Sequence, residues 1–301
     1  VIAAGNCAIL KPSELAPATA KLLSTLIPKA LEKKAYSLVE GGIEQTTELL
    51  ACKFDHIMYT GNGRVAKIVM AAAAKNLTQV TLELGGKSPV FVDKSANIKI
   101  SAQRIAWGKW LNAGQTCVAP DYIMVEECTL KPLVDALIKE INLMFGSQPK
   151  ASSSYGRIIN KQHCKRLSEY IFGEEIVAGG EFDISTKYVS PTLVINPSLE
   201  SPLMKEEIFG PILPIIVVKS FRQAIEHVTS NEKPLAAYLF TRQLAQEKSW
   251  LNDISAGNMA INDMMMFNAV PDLPFGGVGA SGIGQYSGII GFDNFSHLKS
   301  V

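Results

Sequence analysis

The chain has 301 residues, of which 47% are hydrophobic and 19% are charged, and its formal net charge is +1. This composition excludes a disordered chain and predicts a folded protein with a substantial apolar core, built as one large domain or two ordinary ones. The near-neutral charge gives no electrostatic basis for binding nucleic acid or a membrane surface. No apolar run approaches the roughly 20 residues that span a bilayer, and no signal peptide is evident.

The first third of the chain alternates short apolar strands with helical segments. Strands are predicted near residues 6–10, 37–40, 56–60 and 79–84, and helices near 13–30, 44–52 and 64–75. This alternation is typical of a parallel α/β sheet with helices on both faces. Ligands of such sheets bind beyond the carboxyl ends of the strands. Lys11, Gly61 and Glu83 each follow or end a strand, so we expect them on one rim of the sheet.

The rest of the chain predicts a second α/β lobe that begins near residue 85. Its predicted strands are 89–92, 121–126, 189–195, 211–218 and 236–240, and its predicted helices are 98–110, 130–145, 161–172, 221–229 and 244–250. A glycine-rich tail follows, with six glycines between Gly276 and Gly288. Such a tail is either a surface loop, or a wall of an active-site mouth or a subunit contact.

One of the five cysteines lies in a setting suited to chemistry. The five are odd in number and form no CxxC pair, so we predict neither a metal site nor a disulfide framework, and we expect a reducing compartment. Cys117 lies in a polar Gly/Asn/Gln/Thr turn within residues 111–120, between apolar segments. Because access and a thiolate are what nucleophilic cysteines need, Cys117 is the candidate nucleophile.

A glutamate 34 residues earlier is the candidate base. Glu83 ends an apolar strand just before Gly85 and Gly86, where partial burial would move its pKa toward neutrality and let it take a proton from water or a thiol. The alternative is a structural strand-end carboxylate paired with Lys87. No histidine lies in a pattern that would complete a cysteine-protease triad.

Six short motifs, taken together, carry a family resemblance. They are, in order, Lys11-Pro12-Ser13-Glu14, Tyr59-Thr60-Gly61-Asn62, Leu82-Glu83-Leu84-Gly85-Gly86-Lys87, Gly114-Gln115-Thr116-Cys117, Glu206-Glu207-Ile208-Phe209-Gly210-Pro211 and Pro274-Phe275-Gly276-Gly277. With these motifs in this order, the whole chain resembles the aldehyde dehydrogenase superfamily. Residues 113–122, 156–160, 233–236 and 295–297 look most like its class 3 branch, which includes fatty-aldehyde dehydrogenases.

The resemblance implies an aldehyde dehydrogenase-like α/β fold in three parts. Residues 1–84 would form a partial NAD-binding domain of the Rossmann-like type, residues 85–280 the catalytic domain, and residues 281–301 a C-terminal segment for oligomerisation or the active-site mouth. The implied reaction is NAD(P)-dependent oxidation of a medium- or long-chain aliphatic or aromatic aldehyde to a carboxylic acid. Cys117 would form a thiohemiacetal and then a thioester, which water activated by Glu83 would hydrolyse.

On the adenosine side, the resemblance assigns Lys11 and Glu14 to the ribose of the cofactor. A carboxylate accepts from ribose hydroxyls and repels a 2′-phosphate, so NAD is the expected cofactor and NADP remains an alternative. Gly61 and Asn62 open the helix that would face the pyrophosphate. Ala66 stands where a dinucleotide fingerprint has its third glycine, so this motif is weak by itself.

On the nicotinamide side, the resemblance assigns Glu207 to the ribose and places Phe209 beside the ring. Gly85 and Gly86 would let the nicotinamide approach the main chain closely. For Glu207 the alternative is a solvated acidic pair with its neighbour Glu206.

The resemblance also implies a homodimer that acts on an aldehyde in the cytoplasm or on the cytosolic face of an intracellular membrane. Membrane association would require segments absent from this chain. Family members begin earlier, so we expect an N-terminally truncated sequence that lacks the asparagine of the oxyanion hole. Two alternatives remain: a catalytically incomplete fragment or pseudoenzyme, and a thiol acyltransferase or hydrolase that uses no nicotinamide.

Overall fold

A computed structural model describes residues 1–301, which divide into two units. The first unit comprises Val1–Glu83, Pro271–Phe275 and Ile283–Val301, and the second comprises Leu84–Val270 and Gly276–Gly282. The cofactor-binding, catalytic and C-terminal roles expected for residues 1–84, 85–280 and 281–301 stay predictions.

Fourteen strands and ten α-helices make up the two units. The strands are β1 (Ala8–Leu10), β2 (Tyr36–Leu38), β3 (His56–Thr60), β4 (Gln79–Glu83), β5 (Pro89–Val92), β6 (Tyr122–Val125), β7 (Ile176–Ala178), β8 (Phe182–Asp183), β9 (Tyr188–Val189), β10 (Thr192–Ile195), β11 (Ile212–Val217), β12 (Ala236–Phe240), β13 (Asn258–Ile261) and β14 (Gly282–Ile283). The helices are α1 (Pro17–Ala30), α2 (Ile43–Ala51), α3 (Gly63–Ala74), α4 (Ile98–Trp110), α5 (Glu127–Phe145), α6 (Lys161–Tyr170), α7 (Pro202–Lys205), α8 (Phe221–Thr229), α9 (Leu244–Asp253) and α10 (Gly288–Asn294). None of these helices is both long enough and apolar enough to cross a membrane.

The first unit is built on parallel strand pairs. β1 pairs with β2, and β3 pairs with β4 in a register that aligns Thr60 with Glu83 at their carboxyl ends. The side chain of Asn62 accepts a hydrogen bond from the Val65 N–H at 3.0 Å and so caps α3. An asparagine at this position satisfies an amide that would otherwise lack a partner, which explains why α3 begins directly after β3.

The second unit is built on a seven-stranded sheet in the order β13-β12-β5-β6-β11-β10-β7. All neighbours are parallel except β7, which runs antiparallel to β10. The central strands β5, β6 and β12 are buried along their whole length, as uninterrupted apolar strands covered on both faces should be. Phe91, Phe221 and Trp250 form an aromatic cluster in this core. The predicted α/β class is confirmed.

One predicted strand is wrong as a single element. Residues 189–195 divide into β9, which forms a hairpin with β8, and β10, which joins the large sheet. The division falls at Pro191, whose nitrogen carries no hydrogen to donate to a neighbouring strand. The Ser190 N–H bonds the Glu181 carbonyl at 2.9 Å, whereas the Thr192 N–H bonds the Pro211 carbonyl at 3.0 Å. The chain thus changes partners across the proline.

Candidate active site

Cys117 lies in a four-residue turn after the end of α4. The Ala119 N–H donates to the Thr116 carbonyl at 3.0 Å and closes the turn, with Cys117 as its second residue. The cysteine is partly exposed, whereas the following Val118 is fully buried. A thiol held at the rim of a buried segment has the access that a nucleophile needs.

The turn is approached through a left-handed stretch of backbone. Asn112, Ala113 and Gly114 have φ angles of 53°, 52° and 74°. At Gly114 a Cβ atom would overlap the carbonyl of Gly210, so only glycine fits there. Gln115 then fixes the chain, because its amide donates to the Arg157 carbonyl and accepts from the Ile159 N–H.

A buried lysine supports the other end of the turn. Lys109, near the end of α4, is 1% exposed, and its ammonium donates to the Pro120 carbonyl at 2.9 Å. Burial lowers the pKa of this ammonium to about 8, while the charge of Asp121 opposes the shift. A buried cation is tolerated only with such partners, so Lys109 ties α4 to the segment that leaves the cysteine turn.

Asp121 links the cysteine turn to the segment that carries Glu207. One oxygen of its carboxylate forms an ion pair with Lys87, and the other accepts from the Ile208 N–H at 3.0 Å. Lys87 also donates to the carbonyls of Leu203 and Glu206, both at 2.9 Å. These contacts connect the residues after Cys117 to both sides of Glu207.

Glu207 is a partly buried carboxyl beside a glycine. Burial raises its pKa to about 7, with a further rise from Asp121, while a hydrogen bond from the Gly86 main chain opposes the shift. A Cβ atom at Gly85 would overlap the Glu207 carboxylate, so only glycine fits beside this carboxylate. The raised pKa and the main-chain contact do not fit the solvated acidic pair that was the alternative for Glu207.

Arg166 on α6 holds the Glu207 segment from another side. Its guanidinium donates to the carbonyls of Glu207 and Ile208 at 3.1 and 2.6 Å and to the Tyr170 hydroxyl at 2.9 Å. Tyr170 in turn donates to the Glu206 carboxylate at 2.6 Å. The segment then turns at a left-handed residue, Phe209, with a φ of 46° and an exposed ring.

In the first unit, the sequence-predicted residues lie at strand ends. Glu83 is the last residue of β4 and is 3% exposed, and its carbonyl accepts from the Gly61 N–H at 3.0 Å. Asn62 then caps α3. The edge at the carboxyl ends of β3 and β4 therefore carries the candidate base and the start of the candidate pyrophosphate loop.

Lys11 and Glu14 lie beyond β1 in the same unit. The Lys11 ammonium pairs with the Glu14 carboxylate at 3.2 Å and donates to the Gly41 carbonyl at 2.8 Å. Main-chain hydrogen bonding and the Lys11 contact hold the pKa of the Glu14 carboxyl below its ordinary value. The charge of Glu14 also raises the pKa of Tyr59 in β3, after the larger effect of burial. Glu14 therefore lies near Tyr59.

Comparison with known proteins identifies the family to which the chain belongs. The sequence pattern of the aldehyde dehydrogenase family matches residues 1–301, and the chain belongs to that family. Family 3 member A2 from Mus musculus is 50% identical over 298 residues, which are 99% of this chain and 62% of that protein. The dimeric NADP-preferring aldehyde dehydrogenase of Rattus norvegicus is 48% identical over 299 residues, 99% of this chain and 66% of that protein. The predicted class 3 resemblance is confirmed.

Solved structures agree with this membership. The substrate-bound state of Staphylococcus aureus AldH superposes with a TM-score of 0.96 at 46% identity, covering 100% of this chain and 67% of that one. An NAD-dependent aldehyde dehydrogenase from Sinorhizobium meliloti superposes with a TM-score of 0.88 at 29% identity, covering 98% of this chain and 60% of that one. The chain spans less than two thirds of the length of the curated relatives named above.

Proposed function

We propose that the protein oxidises an aldehyde to a carboxylic acid with a nicotinamide cofactor, using Cys117 as nucleophile and Glu83 as base. The observation that carries the proposal is the partly exposed Cys117 in a closed turn, in a chain that matches the aldehyde dehydrogenase family throughout. We propose medium- or long-chain aldehydes as substrates, because a family 3 member is among the relatives and the class 3 branch includes fatty-aldehyde dehydrogenases.

The reaction needs the carbonyl carbon to become tetrahedral before it can lose a hydride. The Cys117 thiolate adds to that carbon and forms a thiohemiacetal, whose oxyanion the main-chain N–H of Cys117 can receive. Loss of the hydride leaves an acyl thioester on Cys117. Glu83 then removes a proton from water, whose oxygen attacks the thioester carbonyl; the C–S bond breaks and releases the carboxylic acid and the Cys117 thiolate. Glu83 is 3% exposed, so its carboxylate is shielded from bulk water at the place where this step is proposed.

The residues present fit a dinucleotide. The Glu207 carboxylate lies against the main chain of Gly85, where any Cβ would overlap it, and α3 begins directly beyond β3 with its positive dipole end at Gly61 and Asn62. Glu207 and Phe209 would hold the nicotinamide riboside, while Lys11 and Glu14 would hold the adenosine ribose. When bound, NAD would supply the hydride acceptor.

NAD is the proposed cofactor, and NADP is the alternative. The Glu14 carboxylate can accept from two ribose hydroxyls, but Lys11 beside it offers a positive charge that could also meet a 2′-phosphate. One relative is described as NADP-preferring. That relative is also described as dimeric, and we propose a homodimer here.

The decisive assay follows NADH absorbance after an aliphatic aldehyde and NAD are added to the purified protein. Cys117→Ser should lower the rate by about a thousandfold or more. Cys128→Ser is the matched control, since Cys128 is exposed on α5, and it should retain activity. Undiminished activity in Cys117→Ser would disprove the proposal. Thioester hydrolysis without NADH formation would favour a cofactor-independent hydrolase.

A further inference from the structure

Tyr238 reaches the cysteine turn from the middle of the large sheet. It lies on β12, between β13 and β5, and is 0% exposed. Its hydroxyl donates to the carbonyl of Val118 at 2.6 Å, across 120 positions of sequence. Val118, whose carbonyl accepts this hydrogen bond, directly follows Cys117 in the sequence.

The hydrogen bond acts on one particular peptide group. The peptide between Val118 and Ala119 contributes the N–H that closes the turn onto the Thr116 carbonyl at 3.0 Å. The carbonyl of this same peptide accepts from Tyr238. Both ends of the peptide plane are therefore fixed. Rotation of the plane would break both bonds and open the turn that presents Cys117.

The surroundings of Tyr238 keep its hydroxyl in place as a donor. The main chain of Met265 hydrogen-bonds to the phenol, and the Tyr238 ring stacks on Phe267 with centroids 6.1 Å apart. Burial raises the pKa of Tyr238 well above its ordinary value, and the charge of Cys117 adds to the rise. Both effects favour the protonated phenol, which is the form that donates to Val118, and Tyr238 lies near enough to the thiol to respond to its charge.

We infer that Tyr238 is a positioning residue for Cys117, whose hydroxyl locks the Val118–Ala119 peptide and with it the turn that carries the nucleophile. Without the hydroxyl, the Val118 carbonyl is buried with no donor, a state that favours rotation of the peptide. The inference rests on the proposed function for its catalytic consequence, but the effect on the turn itself does not.

The test compares Tyr238→Phe with Tyr155→Phe. Tyr155 is a matched control because it is also buried and its hydroxyl also donates to a main-chain carbonyl, that of Val189, at 2.8 Å. Two quantities are measured: kcat/KM for the aldehyde, and the rate of iodoacetamide alkylation mapped to Cys117 by mass spectrometry. Tyr238→Phe should lower kcat/KM at least about tenfold, since small misplacements of reacting groups are costly. It should also change the alkylation rate at least about threefold, with the KM for NAD within about twofold of wild type.

Tyr155→Phe should lose comparable stability and change neither rate. If Tyr238→Phe folds and both of its rates stay within about twofold of wild type, the inference is overturned. If Tyr238→Phe does not fold, 4-fluorophenylalanine incorporated at position 238 replaces it, because the fluorine fills the place of the hydroxyl but cannot donate to the Val118 carbonyl. Rates within about twofold of wild type in that protein then overturn the inference. Alkylation needs neither aldehyde nor cofactor, so an inactive wild type would refute the proposed function without deciding the role of Tyr238.

Discussion

The Lys87 ammonium forms an ion pair with the Asp121 carboxylate, and Asp121 lies four residues after Cys117 in the sequence. Lys87 also binds the Leu203 and Glu206 carbonyls, and Asp121 also binds the Ile208 N–H. One ion pair therefore joins the segment that follows Cys117 to the segment that carries Glu207. Only 5% of the Asp121 side chain and 18% of the Lys87 side chain are exposed, so solvent screens this pair weakly.

Asp121→Asn should destabilise the protein by about 1–3 kcal/mol. The asparagine can still accept from Ile208, but it leaves the Lys87 ammonium without its counter-ion in a poorly hydrated site. Urea unfolding followed by circular dichroism measures the loss, with the slope of the transition expected to stay constant.

The matched control is an exposed pair of the same kind. Lys131 and Asp135 pair at 2.8 Å on α5, with 84% and 61% of their side chains exposed. Asp135→Asn should cost less than about 0.5 kcal/mol. A double-mutant cycle with Lys87→Met and Asp121→Asn should give a coupling energy of at least about 1 kcal/mol. Strict additivity of the two changes would contradict the ion pair's proposed linking role.

The raised pKa of Glu207 predicts a pH-dependent stability. The pKa is about 7 in the folded protein, against an ordinary value of 4.5, because burial and Asp121 disfavour the charged form. Between these two values the folded state binds more protons than the unfolded state. Stability therefore falls as pH rises from about 4.5 to about 7 and stays lower above that. A glutamine at this position does not titrate, so the stability of Glu207→Gln does not fall for this reason as pH rises.

Glu207→Gln should therefore gain stability relative to wild type, by about 1–3 kcal/mol, when pH rises from about 5 to about 8. Urea unfolding of both proteins at the two pH values gives this difference directly. Glu48→Gln on the exposed side of α2 is the control for a simple charge change. A wild-type-minus-variant difference that does not vary with pH would show that Glu207 ionises in the folded protein as it does in the unfolded chain.

The elements predicted best from sequence are those whose pattern of apolar and polar residues can be read within the element itself. The bounds of β3, β5, α8 and β12 are recovered because each is a short apolar run or an amphipathic repeat between clear breaks. The strand predicted at residues 189–195 failed for the opposite reason. Its apolar run continues through Pro191, and only the partners of the flanking residues reveal that two strands share it.

The candidate site divides in the same way. Cys117 and Glu83 lie in motifs that the sequence shows. Lys109, Tyr238 and Arg166 lie in no such motif. Tyr238 and Arg166 act through contacts with residues far away in the chain, and Lys109 and Arg166 are single charged residues within helices. The sequence did not mark Lys109, since α4 carries two other charged residues, Lys99 and Arg104. Sequence alone offers Lys87 as a partner for Glu83, and the structure gives Lys87 an ion pair with Asp121, a contact that no sequence motif predicts.

The central claim is that Cys117 carries the acyl group and that Glu83 activates the water that releases it. Glu83→Gln separates these steps, because it leaves the nucleophile intact and removes the base. With aldehyde and NAD, this variant should form about one NADH per site in a rapid burst and then turn over slowly. Formation of the thioester on Cys117 should be complete at that point, and its hydrolysis should be slow.

The most direct measurement is the mass of the Glu83→Gln protein after this burst, with the adduct mapped by peptide fragmentation. We predict one acyl group on Cys117, released by hydroxylamine and absent when Cys117→Ser is added to the same variant. An acyl group on another residue, or full turnover by Glu83→Gln with no adduct on Cys117, would contradict it.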